Sequence, residues 1–166
     1  MRIVVAAASK HGATTEIAEA IATELIRHGL AAEVVEPAAV TTLDPYDAVV
    51  LGSGLYLGRW RASAKSMVDR LGPEMLKRPV WLFSSGPVGE PPKPTEESPD
   101  VVALVAAAGA REHRTFPGEL DKSKLSLGER AVVAAVRAPA GDYRDWGEIT
   151  SWAGSIAAAL GAAPSA

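Results

Sequence analysis

The sequence predicts a doubly wound α/β sandwich: a five-stranded parallel sheet in the order 2-1-3-4-5, with helices on both faces. Three observations carry that expectation. Apolar runs without polar alternation recur along the chain, Ile3-Val4-Val5-Ala6-Ala7-Ala8 being the clearest, and such runs fit strands buried on both faces. Helical stretches separate them, so strand and helix alternate five times without a repeat or an internal linker. The turns after the first, third and fourth strands are all rich in glycine and hydroxyl residues, as expected of a ligand site at the carboxyl ends of parallel strands.

The first strand turns through Ser9-Lys10-His11-Gly12 into a helix. On that helix Ile17, Ala18, Ile21, Ala22, Leu25 and Ile26 form one apolar stripe, with Glu16, Glu19, Glu24 and Arg27 off it. His28-Gly29 closes it, placing a cation near the negative end of the helix dipole and a glycine just beyond. Residues 32–35 are a short second strand. The third covers residues 46–51 and runs into Gly52-Ser53-Gly54. A helix over residues 62–71 and a fourth strand over 79–83 follow, the strand ending in Ser84-Ser85-Gly86. The proline-rich stretch 88–99 is an extended surface loop. Residues 101–108 read as a helix and 111–120 as a charged, interrupted fifth strand; the stretch 122–138 contains a helix over 129–136. Asp145-Trp146-Gly147-Glu148 is a capping box that opens the last helix, which continues through Ile149, Trp152, Ile156 and Leu160; residues 164–166 are a frayed tail.

A length of 166 residues fits one domain, placed at residues 1–163. With 48% hydrophobic and 22% charged residues, the composition excludes a disordered or collagen-like chain. The lack of cysteine excludes disulfides, thiolate metal sites, iron–sulfur clusters and a cysteine nucleophile. Three histidines without carboxylates in register make no metal site. A net charge of −3 argues against nucleic acid as a partner. The longest apolar runs reach about half of the ~20 residues a membrane span needs, so no transmembrane segment is expected. No charged leader precedes the first strand, which suggests a cytoplasmic protein, with a peripheral place at the membrane left open.

The turn Ser9-Lys10-His11-Gly12-Ala13-Thr14-Thr15 offers hydroxyls and backbone N–H groups at a helix start, a natural anion site. Ser9 or Thr14 could serve merely as a helix cap, but the strand–turn–helix context and the two companion turns favour anion binding. No Gly-Lys-Ser/Thr is present, which excludes a P-loop. Gly52-x-Gly54-x-x-x-Gly58 is one residue too long for a dinucleotide fingerprint and follows the third strand. A phospho-acceptor domain would need a carboxylate cluster at the strand ends, and none is there.

Ser9-x-His11-Gly12-x-Thr14 resembles the flavodoxin phosphate loop, Thr/Ser-x-Thr-Gly-x-Thr, with His11 in place of one hydroxyl. The stretch from Ser9 to Ala18 is similar to the opening of the menaquinone-dependent protoporphyrinogen oxidase branch of flavodoxin-like proteins. Tyr46-Asp47-Ala48-Val49-Val50-Leu51-Gly52, Gly58, Trp60 and Asp145-Trp146 extend that likeness. The resemblance implies one FMN held noncovalently. Its phosphate would lie on Ser9, Lys10, His11, Gly12, Ala13, Thr14 and Thr15. Ser53, Gly54, Leu55, Tyr56 and Gly58 would wall the isoalloxazine ring, and Ser85, Gly86, Pro87, Val88 and Gly89 would pass its edge.

Tyr56 stands where flavodoxins place a stacking tryptophan, with Trp60 in reserve; a half-buried loop residue and a packing residue are the plain alternatives. The residues around the ring leave a deazaflavin open beside FMN. No side chain is assigned as catalytic, because the flavin carries the redox chemistry. The implied function is an FMN-dependent oxidoreductase passing electrons from a two-electron donor, protoporphyrinogen in that branch, to a quinone-type acceptor. The alternative is a flavodoxin-type electron carrier without substrate turnover of its own. In either case the redox partner is a small molecule or a protein. The segment from Asp121 onward departs from the branch in being shorter and less basic.

Other residues invite structural readings. Arg111-Glu112-His113-Arg114 reads as charge guarding a sheet edge rather than as a substrate contact. His11 reads equally as a phosphate neighbour and as a solvent-facing turn residue, while Trp146 and Trp152 read as core packing.

Overall fold

β1 (Arg2–Ala8) is buried from its second residue onward. Its position explains why it shows no polar alternation: β2 (Ala31–Val35) pairs on one side and β3 (Ala48–Tyr56) on the other, both parallel. The computed structural model describes residues 1–56, 58–86, 98–120, 126–136 and 141–161. After β3 the chain turns at Gly58 and returns as β4 (Arg59–Trp60), antiparallel to the end of β3. β5 (Val80–Ser85) then adds to the other edge of β3, and β6 (Glu112–Phe116) to β5, both parallel. The order β2-β1-β3-β5-β6 is the expected one counted over the parallel strands.

Alternate residues of the sheet feed two separate cores. Ile3, Val5, Ala7, Trp81 and Phe83 face α1 (Ala13–Arg27) and α5 (Trp146–Ala159); Val4, Ala6, Leu51 and Leu82 face α2 (Ala62–Met75) and α3 (Pro99–Ala108). Both helical layers are amphipathic against the sheet, which is the two-faced arrangement the alternation of elements implied.

Several details differ from the sequence reading, each for a physical reason. The third strand does not stop at Leu51 but continues to Tyr56, because β4 supplies backbone partners for Leu55 and Tyr56. Gly52 is therefore a strand residue. A Cβ there would stand 2.1 Å from the Phe83 ring, so this position has no room for a side chain. α2 runs past Gly72-Pro73 to Met75, whose fully buried side chain anchors the last turn despite the proline. α3 begins at Pro99, with Ser98 Oγ accepting from the Val101 amide.

The interrupted fifth strand breaks at Pro117-Gly118 into β6 and β7 (Glu119–Leu120). β7 belongs to a separate ribbon with β8 (Gly141–Asp142). α4 (Leu127–Val136) starts two residues before Glu129, since Ser126 and Glu129 form a reciprocal capping box: Ser126 Oγ accepts from the Glu129 amide and Glu129 Oε1 from the Ser126 amide. Ile26 is exposed rather than part of the buried stripe. Trp152 packs edge-on against Phe83 and Phe116, whereas Trp146 lies at the surface with the Arg144 guanidinium 4.7 Å from its ring centroid. The loop over residues 88–97 and the tail lie outside the described residues. Among the described residues no helix is long and apolar enough to cross a membrane, and no cluster of His, Cys, Asp and Glu could hold a metal ion.

Candidate cofactor site

Register brings the three predicted turns together. Ala8 lies opposite Ser53, Ser53 opposite Ser84, and Ser84 opposite Thr115, so residues near the carboxyl ends of four parallel strands stand in one row, with β3 running on to Tyr56. A Cβ on Gly54 would come within 3.2 Å of Thr14 Oγ1, which puts the β1–α1 turn directly against the end of β3. A Cβ on Gly86 would come within 3.7 Å of Leu55 Cβ, which puts the β5 turn on its other side. Between β1 and β3 the strand order reverses direction, the place where doubly wound sheets open a crevice.

The β1–α1 turn ends in a helix start whose first amides no side chain caps. Gly12 is the N-cap of α1 with φ of 92°, a left-handed conformation that favours glycine, and a Cβ there would meet nothing within 4 Å. Ser9 Oγ accepts from the Gly12 amide at 2.9 Å, so Ser9 shapes the turn and does not cap the helix. No side chain among the described residues caps α1, and its first helical bond runs from Glu16 N to Gly12 O. The amides of Ala13, Thr14 and Thr15 thus precede the helical ladder, at the positive end of the helix dipole. Thr14 is buried and Thr15 half-buried.

The second and third segments are placed as follows. Ser53 is fully buried and its hydroxyl is used within the protein, donating to Gly54 O and accepting from the Arg61 amide. Gly54 and Leu55 are half-buried, and Tyr56 at the tip of the β3–β4 hairpin is 47% exposed. Gly58 takes φ of 77° in the turn itself. Trp60, the reserve stacking residue, is turned into the core, where its indole N–H donates to Ser84 Oγ at 2.8 Å. Ser84 Oγ also shares a 2.8 Å hydrogen bond with His113 Nε2. Ser85 ends β5 with its side chain buried, and Gly86 donates its amide to Phe116 O. Pro87, Val88 and Gly89 lie outside the described residues.

Two neighbours of the anion turn were missed by the sequence reading. Glu129, near the start of α4, is buried and takes Lys10 Nζ on Oε1 at 3.0 Å and His11 Nε2 on Oε2 at 2.8 Å. Hydrogen bonds from His11 and then Lys10 hold its carboxyl down at about 2. His11 is therefore half-buried and paired rather than free in solvent. Arg144, just after β8, donates from Nη1 to Ala13 O at 3.4 Å and pairs with Glu16, Glu119 and Asp142. The capping-box spacing Ser126-x-x-Glu129 was visible in the sequence and could have placed α4; nothing local pointed from Glu129 to a turn 118 residues away.

A parallel sheet with an uncapped, glycine-turned helix start at its switch point defines the class of doubly wound α/β proteins that seat a phosphorylated cofactor there. The chain belongs to the flavodoxin domain family, whose sequence model matches residues 4–146. FMN is the cofactor that this membership indicates, and the open Gly12 turn with amides ahead of the ladder fits its phosphate. The chain is similar in fold to a flavodoxin from Archaea, with 15% identity, 97% of this chain and 99% of that one covered, and a TM-score of 0.65. A cysteine-to-serine mutant of the flavodoxin from Pseudomonas aeruginosa gives 15%, 97%, 99% and 0.62. The rubredoxin:oxygen oxidoreductase of Desulfovibrio gigas is matched over 96% of this chain but 36% of its own, at 13% identity and a TM-score of 0.63. Among curated proteins none matches the chain in sequence.

Proposed function

We propose that this domain holds FMN at the carboxyl ends of β1, β3 and β5 and acts as an FMN-dependent oxidoreductase, taking electrons from a two-electron donor and passing them to a quinone-type acceptor. Bound FMN supplies the redox chemistry. The protein's part is to hold the phosphate on the hydroxyls of Ser9, Thr14 and Thr15 and on backbone amides of the turn, those of Ala13, Thr14 and Thr15 foremost since the Gly12 amide donates to Ser9 Oγ, and to lay the ring along residues 53–56 against Tyr56. Ser85 and Gly86 stand at the ring's edge in this reading, with Pro87, Val88 and Gly89 continuing it.

The observation that carries the reading is the state of the two candidate aromatics. Tyr56 is exposed at the hairpin tip while Trp60 is withdrawn into the core and tied to Ser84. A ring beside Tyr56 alone would present an accessible face, which a donor needs in order to stack on it. A net charge of −3 is a weak steering field for a carrier that must find basic protein partners. Protoporphyrinogen is the donor to try first, on the resemblance of residues 9–18, 46–60 and 145–146 to that branch.

The test is stopped-flow reoxidation of the reduced, FMN-loaded protein. A soluble quinone analogue is expected to reoxidise it directly, with loss of both electrons in one kinetic phase. A reduced protein inert to quinones, but emptied in two separate steps by a one-electron acceptor, would establish the carrier instead.

A further inference from the structure

The anion turn contains one cationic side chain, Lys10, and one imidazole, His11, and both are already paired. One carboxylate, Glu129, takes Lys10 on one oxygen and His11 on the other, while Oε1 also receives the amide of Ser126. Glu129 is buried and set at the first turn of α4 by its own capping box, so it is a fixed partner and not a passing surface contact. The next cation beside the turn, Arg144, reaches Ala13 O but is matched by the three carboxylates of Glu16, Glu119 and Asp142. Around a turn shaped for an anion, these groups together leave no surplus of positive charge.

We propose that Glu129 sets the strength of phosphate binding: by neutralising Lys10 and holding the His11 imidazole it leaves the phosphate to amides and hydroxyls, so that the cofactor is held more weakly and with less salt dependence than this loop sequence would otherwise give. Glu129 is in this sense a positioning residue, acting on the phosphate through Lys10 and His11. The inference rests on the phosphate occupying the β1–α1 turn, and its failure is separable from failure of that reading. Because the three carboxylates of Glu16, Glu119 and Asp142 exceed the single charge of Arg144 and repel an incoming phosphate, added salt relieves repulsion more than it screens attraction. An unneutralised Lys10 would reverse that balance and contribute a charge-assisted hydrogen bond.

The experiment is titration of the apoprotein with FMN and, separately, with riboflavin, which lacks the phosphate, at low and high potassium chloride. In the native protein the FMN affinity is expected to hold or rise with salt. Glu129→Gln is expected to bind FMN about tenfold more tightly at low salt, with riboflavin unchanged. The gain should shrink at high salt and disappear in Glu129→Gln/Lys10→Gln. At the same time Glu129→Gln should melt at a lower temperature, since its link from α4 to the turn is weakened; a purely structural role would lower stability and affinity together. FMN binding to Glu129→Gln that is unchanged or weaker, or a gain shared equally by riboflavin, overturns the proposal. If Glu129→Gln does not fold, the native salt series still decides, because an FMN affinity that falls steeply with salt places Lys10 on the phosphate. Gly12→Asp is the control for the seat: a folded Gly12→Asp that keeps native FMN affinity refutes the reading of the turn itself.

Discussion

Tyr56 and Gly12 show how single residues can be read, and where reading stops. Gly12 was legible because a glycine between a strand-ending hydroxyl and a helix start has few other uses, and its φ of 92° is the conformation such a position calls for. For Tyr56 the structure gives the place, exposed at the open end of the glycine-rich segment, and the stacking role stays a proposal. Trp60 was not legible, because its fate depends on Ser84 and His113, two residues from other strands that no local pattern links to it. With a flavin stacked on it, Tyr56 contributes on the order of 0.5–1.5 kcal/mol beyond its buried area. Tyr56→Ala is accordingly expected to weaken FMN binding by about two- to tenfold and to relieve part of the quenching of flavin fluorescence. The position is exposed, so the melting temperature of the apoprotein should barely move. Native affinity and native quenching in this variant would show that no ring lies against Tyr56.

Among the elements, the parallel strands and the helices that cover them were legible because each carries its own apolar period. The segment between β6 and α5 was not. Its helix α4 was visible as an alanine- and valine-rich stretch, but β7 and β8 are two residues each, too short to show a period, and they pair only with one another. Its described residues are tied to the first turn and to one another by charge: Glu129 to Lys10 and His11, and Arg144 to Glu16, Glu119 and Asp142. The Glu129 link has a definite dependence on pH. Its carboxyl is lowered from an ordinary 4.5 to about 2, chiefly by the His11 hydrogen bond. A carboxyl lowered by folding stabilises the fold fully above 4.5 and ceases to do so as pH falls towards about 2. Urea unfolding at a series of pH values should therefore find Glu129→Gln less stable than the native chain at neutral pH, with the two converging between pH 4.5 and pH 2. A stability gap that stays constant through that window would assign the loss to packing and not to the charge.

At the scale of the whole molecule, the strand order has a consequence for how the chain is made. β1 is an interior strand, and β2 pairs with it at once to become the outer strand on that side of the sheet. Every later parallel strand, β3, then β5, then β6, is appended to the opposite side in the order in which the ribosome delivers it. Besides the β2 edge, the growing nascent sheet therefore always carries a second, advancing edge, and until β6 emerges that edge is β3 or β5, strands with wholly apolar central residues. On this advancing side it is β6, with Glu112, His113 and Arg114, that brings charge to the boundary. Synthesis is thus a race between delivery of the last strand and association of the exposed one with another unfinished chain. A chain terminated after Ala110 should accumulate in the insoluble fraction, whereas one terminated after Phe116 should partition measurably better; equal solubility of the two would remove the edge of β5 as the hazard.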